Sequence, residues 1–204
     1  MRGRVSALGV ITGVFFTLAA IAIVGLVVAH TGGYNVGATE GHTPFERWVA
    51  STTMENSVKA RASGIAEPQF TQAMIVKGGG EYKAMCSQCH GAPGVERSEW
   101  ATGLLPMPPH LTEAASEWRP REVFWILKHG IKMSAMPALG PTHDESTLWA
   151  ITAFVKQLPG MTAEQYAAIP AEEEGEGGHH GGGKATPMGG ASGHHDEEGP
   201  AHGH

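Results

Sequence analysis

The chain has 204 residues, 41% of them apolar, and a formal net charge of −6. A chain of this length accommodates one folded domain with appendages. Seven acids and one base lie between residues 171 and 204, so the preceding residues are formally neutral and the acidity belongs to the C-terminal end. No basic cluster is present, which argues against a nucleic-acid-binding function.

Residues 5–29 are uncharged and mostly apolar. As a helix they would be about 37 Å long at 1.5 Å per residue, enough to cross a hydrocarbon core about 30 Å thick. A cleaved signal peptide is the alternative, because residues 27–29 (Val-Val-Ala) resemble a cleavage site. The length exceeds the roughly 7–15 residues of a signal-peptide core, so residues 1–29 are predicted to be a retained transmembrane anchor.

Arg2 and Arg4 precede the apolar run. The positive-inside rule keeps such residues in the cytoplasm and sends the rest of the chain across the membrane. The prediction is a single-pass protein of the bacterial cytoplasmic membrane, with its folded domain on the periplasmic or outer face.

Residues 30–72 are predicted to be a linker that contains one amphipathic helix. Thr43 can cap this helix, Pro44 suits its first position, and Glu46 completes a capping box. The helix is expected to run to about Ala62. Trp48 lies on its apolar face, which is expected to pack on the folded domain, with the bilayer surface or a partner as alternatives.

The most specific motif is C-x-x-C-H, formed by Cys86, Cys89 and His90. It is the attachment signature of c-type haem, in which two thiols form thioethers and the histidine binds the iron. These are the only two cysteines in the chain. A thioredoxin-like dithiol is the alternative, but no βαβ pattern surrounds the motif.

Three further helices are predicted around this motif, over residues 73–85, 121–129 and 145–158. The first contains three consecutive glycines, Gly78 to Gly80, which cost helix stability. Close contact with the third helix would explain them, because a residue without Cβ lets another backbone approach. No period-two alternation indicates a strand, so the fold class is all-α.

A haem held by one histidine leaves a sixth iron position. Residues 130–140 form a loop with Met133 and Met136, and a methionine thioether favours ferrous iron. Met136, directly before Pro137, is the predicted ligand, and Met133 is the alternate. A bis-histidine site would instead draw on another histidine, the candidates being His110, His129 and His143.

The second ring nitrogen of His90 also needs a partner. A backbone carbonyl of the proline-rich loop at residues 104–109 is the predicted acceptor. Large aromatic side chains are expected to supply apolar area around the haem, with core packing as the default for each, namely Tyr82, Trp100, Trp118, Trp125 and Trp149.

Residues 171–204 contain eleven glycines and six histidines and show no apolar periodicity. They are predicted to be a disordered tail. Paired histidines beside carboxylates can bind zinc, copper or nickel weakly, so a weak divalent metal site in the tail is an open possibility.

Over residues 73–170 the sequence resembles a monohaem class I cytochrome c. The resemblance is carried by the spacing of Gly78, Tyr82 and the C-x-x-C-H motif, by the run 148–158, and by Met136 before Pro137. Residues 105–111 and 124–133 resemble a membrane-anchored bacterial subset. The resemblance implies one covalent haem c and an electron carrier without substrate turnover, with redox proteins or a membrane oxidoreductase complex as partners.

The rival interpretation is a haem enzyme or gas sensor with an open or displaceable sixth ligand. It requires Met136 to be absent from the iron, and no distal acid–base constellation is recognisable in the sequence.

Overall fold

The computed structural model describes residues 6–171, and within that range it contains helices and no strand. Two residues, Ala92 and Val95, form an isolated antiparallel bridge. Residues 172–204 of the predicted tail and the two N-terminal arginines lie outside the described residues. The all-α class is therefore confirmed.

Helix α1 (Ala7–Thr31) contains 25 residues, none of them buried, and Ser6 caps its first turn. By length and composition it is the one helix of the described residues that could cross a membrane. It ends at Gly32, whose φ of 67° lies in the left-handed region that terminates helices.

Helix α2 (Pro44–Ala62) begins as predicted. The Thr43 side chain accepts from the Glu46 N–H, and the Glu46 side chain accepts from the Thr43 N–H. Near its end, Val58 and Ala62 are buried. The expected packing of Trp48 is wrong, because 62% of this residue is exposed and its ring contacts only that of Phe45 among the aromatic rings. Only the C-terminal half of α2 reaches the domain.

Helices α3 (Gln72–Glu81) and α7 (Glu145–Val155) cross at Gly78. A Cβ on Gly78 would lie 1.9 Å from the Ala150 carbonyl oxygen, so the two backbones are in direct contact. The glycine interpretation is thus confirmed. Asp144 caps α7 through the Thr147 N–H, and the helix ends at Val155, three residues before the predicted end.

Helix α6 (Pro120–His129) packs on α7 and ends at Gly130. Shorter helices complete the domain: α4 (Ser87–His90), α5 (Leu111–Ala114) and α8 (Ala163–Ala167). Single 3₁₀ turns lie at Glu99–Gly103 and Ala115–Glu117. The core joins these helices through apolar and aromatic side chains, including Tyr82, Phe124, Leu127, Leu148, Ile151, Phe154, Leu158 and Tyr166.

Candidate haem site

One cavity of about 410 Å³ brings together the four side chains singled out in the sequence, Cys86, Cys89, His90 and Met136. Its remaining lining is mainly apolar and includes Pro106, Pro108, Leu111, Val123, Ile126, Leu127, Ile131, Leu139 and Val155. Two thiols, the His90 imidazole and the Met136 thioether thus open into a single apolar space, which Met54, Met85 and Met107 also line. These donors fit a covalently attached haem.

The local backbone explains why the motif residues share one face. After α3 the chain widens into a π-helical turn, Tyr82–Cys86, in which the Ser87 N–H donates to the Tyr82 carbonyl. The following α4 places Cys89 and His90 three and four positions after Cys86, the spacing at which helical side chains lie on one side. Such π turns occur often at functional sites. The predicted continuous helix to residue 85 therefore changes its geometry at Tyr82.

The electrostatics of Cys86 do not suit a reactive dithiol. Burial, with smaller contributions from the nearby Glu81 and Cys89, raises the pKa of its thiol to about 12. Thioredoxin-like cysteines need a lowered pKa, because the thiolate is the nucleophile. The apolar surroundings of Cys86 therefore argue against the dithiol alternative.

His90 is oriented by the proline-rich loop, as predicted. Its Nδ1 lies 2.8 Å from the Pro109 carbonyl oxygen, and because that oxygen can only accept, Nδ1 carries the proton. Burial lowers the pKa of His90, while the Pro109 hydrogen bond opposes the shift. The ring is thereby favoured in its neutral form with Nε2 as the free electron-pair donor, which is the state that binds iron.

Arg97 supports the same loop, and the sequence did not single it out. Its Nη1 donates to the Pro108 carbonyl at 2.7 Å, one residue before the acceptor of His90. Nothing in the local pattern marks this arginine, since the contact joins residues eleven positions apart across a loop. Met54 of α2 is a second missed residue, because it lines the cavity from outside the predicted haem domain.

The backbone beyond α6 holds the Met136 loop against the domain. Gly130 has a φ of 64°, and a Cβ there would lie 2.7 Å from the Ala138 nitrogen. The Ile131 N–H donates to the Met136 carbonyl at 3.1 Å, and the Met136 N–H donates to Ser134 Oγ at 3.2 Å. The loop thus closes on itself with the Met136 side chain in the cavity wall.

The alternate ligands lie elsewhere. Met133 is 98% exposed and has a φ of 59°, and it does not line the cavity. The three alternate histidines do not line it either. The His129 ring contacts that of Trp125, with centroids 4.8 Å apart and an interplanar angle of 36°, and His143 Nδ1 lies 2.8 Å from Thr142 Oγ1.

The prediction that five aromatic side chains lie around the haem is largely wrong. Of the five, only Trp118 lines the cavity. Trp149 stacks on Phe124 with centroids 4.1 Å apart, and Trp100 is 58% exposed. Tyr82 is buried in the core, where its hydroxyl donates to the Gly91 carbonyl at 2.6 Å. Tyr82 therefore holds the chain that leaves α4 instead of facing the cavity.

Comparison with known proteins agrees with this geometry. Residues 73–155 match the family model described as cytochrome c oxidase, cbb3-type, subunit III. Among the curated proteins, no sequence matches the chain significantly. The matched region begins within α3, ends with α7, and contains the C-x-x-C-H motif and Met136. This chain therefore carries, at residues 73–155, a monohaem domain of the class I c-type cytochromes, which bind haem c covalently.

Proposed function

We propose that the protein is a membrane-tethered electron carrier of the periplasmic face, without substrate turnover of its own. Cys86 and Cys89 attach the haem, and His90 and Met136 bind its iron. The observation that carries this proposal is the single apolar cavity into which all four side chains open.

The chain's own residues set the properties of the site. When bound, the haem supplies a one-electron couple. The Pro109 carbonyl fixes the orientation of His90 and raises its basicity. The Met136 thioether is a soft donor that favours the ferrous form. Apolar walls limit access of water, and two protein ligands keep the geometry similar in both oxidation states.

The tether supports a role beside membrane oxidoreductases. Helix α1 is long enough to cross a bilayer, and only residues 32–43 separate it from α2. A short tether keeps the domain at high effective concentration near partners in the same membrane. The family description names an oxidase subunit, so a membrane oxidoreductase complex is the proposed partner. Arg2 and Arg4 precede the span in the sequence, and under the positive-inside rule they support a domain on the periplasmic side.

The visible spectrum of the purified full chain tests the proposal. Oxidised and reduced samples are recorded with and without carbon monoxide. We expect a six-coordinate, low-spin spectrum with the weak far-red band of methionine-bound ferric haem, and no response to carbon monoxide. A high-spin spectrum that shifts with carbon monoxide would contradict it and favour a haem enzyme or gas sensor.

Cysteine substitutions test the attachment. The double variant Cys86→Ala/Cys89→Ala should release all of its haem into acidified organic solvent, whereas each single variant should keep one thioether and show reduced attachment. Ser87→Ala is a matched control, because it lies between the cysteines and carries no thiol; its hydroxyl donates to the Lys83 carbonyl. Haem that stays with the protein in the double variant would exclude both cysteines as the attachment points.

A further inference from the structure

The haem cavity has one wall residue from outside the cytochrome domain. Met54 of α2 lines the cavity, while every other lining residue lies between Met85 and Val155. The family match begins at residue 73, so α2 is no part of the matched domain. Helix α2, which the sequence predicted to be part of a linker, therefore reaches the cofactor site.

The face of α2 that carries Met54 is anchored to the domain. Val58 and Ala62 follow Met54 at intervals of four residues, which places all three on one side of the helix. Val58 is 1% exposed and Ala62 is fully buried. In the next turn after Met54, the Lys59 Nζ lies 5.8 Å from the centre of the Trp118 ring, which itself lines the cavity.

The chain that follows α2 is also fixed. The Glu67 Oε1 accepts from the Arg121 N–H at 3.3 Å and lies 3.7 Å from the Arg121 Nε. Arg121 is in the first turn of α6, where the unpaired N–H groups favour a carboxylate. The two ends of segment 54–67 are therefore held on the domain, one by apolar burial and one by a charge-assisted hydrogen bond.

A methionine suits a wall of this kind, because its flexible thioether fills irregular gaps. An apolar wall also changes the redox balance. Removing water from the site disfavours the form with the larger charge, so it stabilises ferrous relative to ferric iron.

We propose that α2 is a part of the haem site, and that Met54 is a positioning residue that closes one edge of the cavity and raises the reduction potential. This inference requires haem binding but not the electron-carrier role. A chain limited to residues 73–170 would accordingly hold its haem in a wetter site with a lower potential.

A direct test uses methyl-labelled methionine in the full chain, reduced and diamagnetic, in detergent. One of the nine methionines, the proposed ligand Met136, should show the largest upfield shift. The Met54 methyl, assigned by its loss in Met54→Leu, should also be displaced by the ring current of the haem. A Met54 methyl with the chemical shift of a solvent-exposed methionine would overturn the proposal. The variant serves only to assign the signal, and the shift is read from the unaltered chain.

Potentiometry gives the second readout. Met54→Ala should shift the ferric-to-ferrous equilibrium several-fold toward ferric, where a tenfold shift equals about 59 mV for one electron. Met54→Leu keeps the apolar volume and should stay near the parent, as should Thr53→Ala at the exposed neighbouring position. If Met54→Ala kept the parent potential and a low-spin spectrum, the proposed role of Met54 in the cavity wall would be refuted, while His90 and Met136 would remain the ligands.

Discussion

Replacement of Met136 by alanine is expected to leave the haem attached, lower its reduction potential and open the iron to carbon monoxide. The thioethers at Cys86 and Cys89 do not depend on the sixth ligand, so attachment persists. Loss of the thioether removes the donor that favours ferrous iron. We expect a fall of about 100 mV or more, a modest part of the roughly 0.8 V range that axial ligands span.

Met133→Ala is the matched control for this experiment. Both methionines lie in the loop after Gly130, but Met133 is 98% exposed and Met136 lines the cavity. The control should keep the parent potential and remain unresponsive to carbon monoxide. If Met136→Ala behaved like the parent while Met133→Ala changed the spectrum, the assigned ligand would be Met133. If neither variant changed it, a histidine or another methionine would hold the position.

The parts of the fold that the sequence predicted are those set by short-range chemistry. The capping box at Thr43 and Glu46 and the cap at Asp144 connect residues three positions apart, so the local pattern is sufficient. The C-x-x-C-H motif is equally local. The glycines at residues 78–80 were informative for a different reason. They lower the stability of the helix and no local feature explains them, which indicates close contact with the backbone of another helix.

The parts that the sequence did not predict depend on packing between distant segments. A tryptophan can face the cavity, a neighbouring ring or solvent, and its residue type does not decide among these. Trp118, Trp149 and Trp100 show the three outcomes in turn. The place of Met54 in the cavity wall was equally hidden, because it depends on how α2 lies against the domain.

Gly78→Ala is expected to destabilise the domain severely, although alanine is the better helix former. Propensity alone would make this substitution stabilising by up to about 1 kcal/mol. The added Cβ would lie 1.9 Å from the Ala150 carbonyl oxygen and 2.8 Å from the Ile151 nitrogen. These are backbone atoms of α7, which cannot rotate away, so the two helices must separate.

We expect a loss of about 3 kcal/mol or more in the free energy of unfolding, at the upper end of typical overpacking costs. Because α7 contributes Val155 to the cavity and α3 leads into the Cys86 turn, the yield of haem-loaded protein should fall as well. Urea unfolding followed by helical circular dichroism measures the first effect, and haem absorbance per protein measures the second.

Gly64→Ala is the control, since no atom lies within 4 Å of its added Cβ and its φ is not in the left-handed region. Its stability should stay within about 0.5 kcal/mol of the parent. The sign of the Gly78 effect is the decisive observation. A stabilised Gly78→Ala protein would mean that helix propensity dominates and that α3 and α7 are not in backbone contact, whereas a large loss would show that their close crossing holds the haem cavity together.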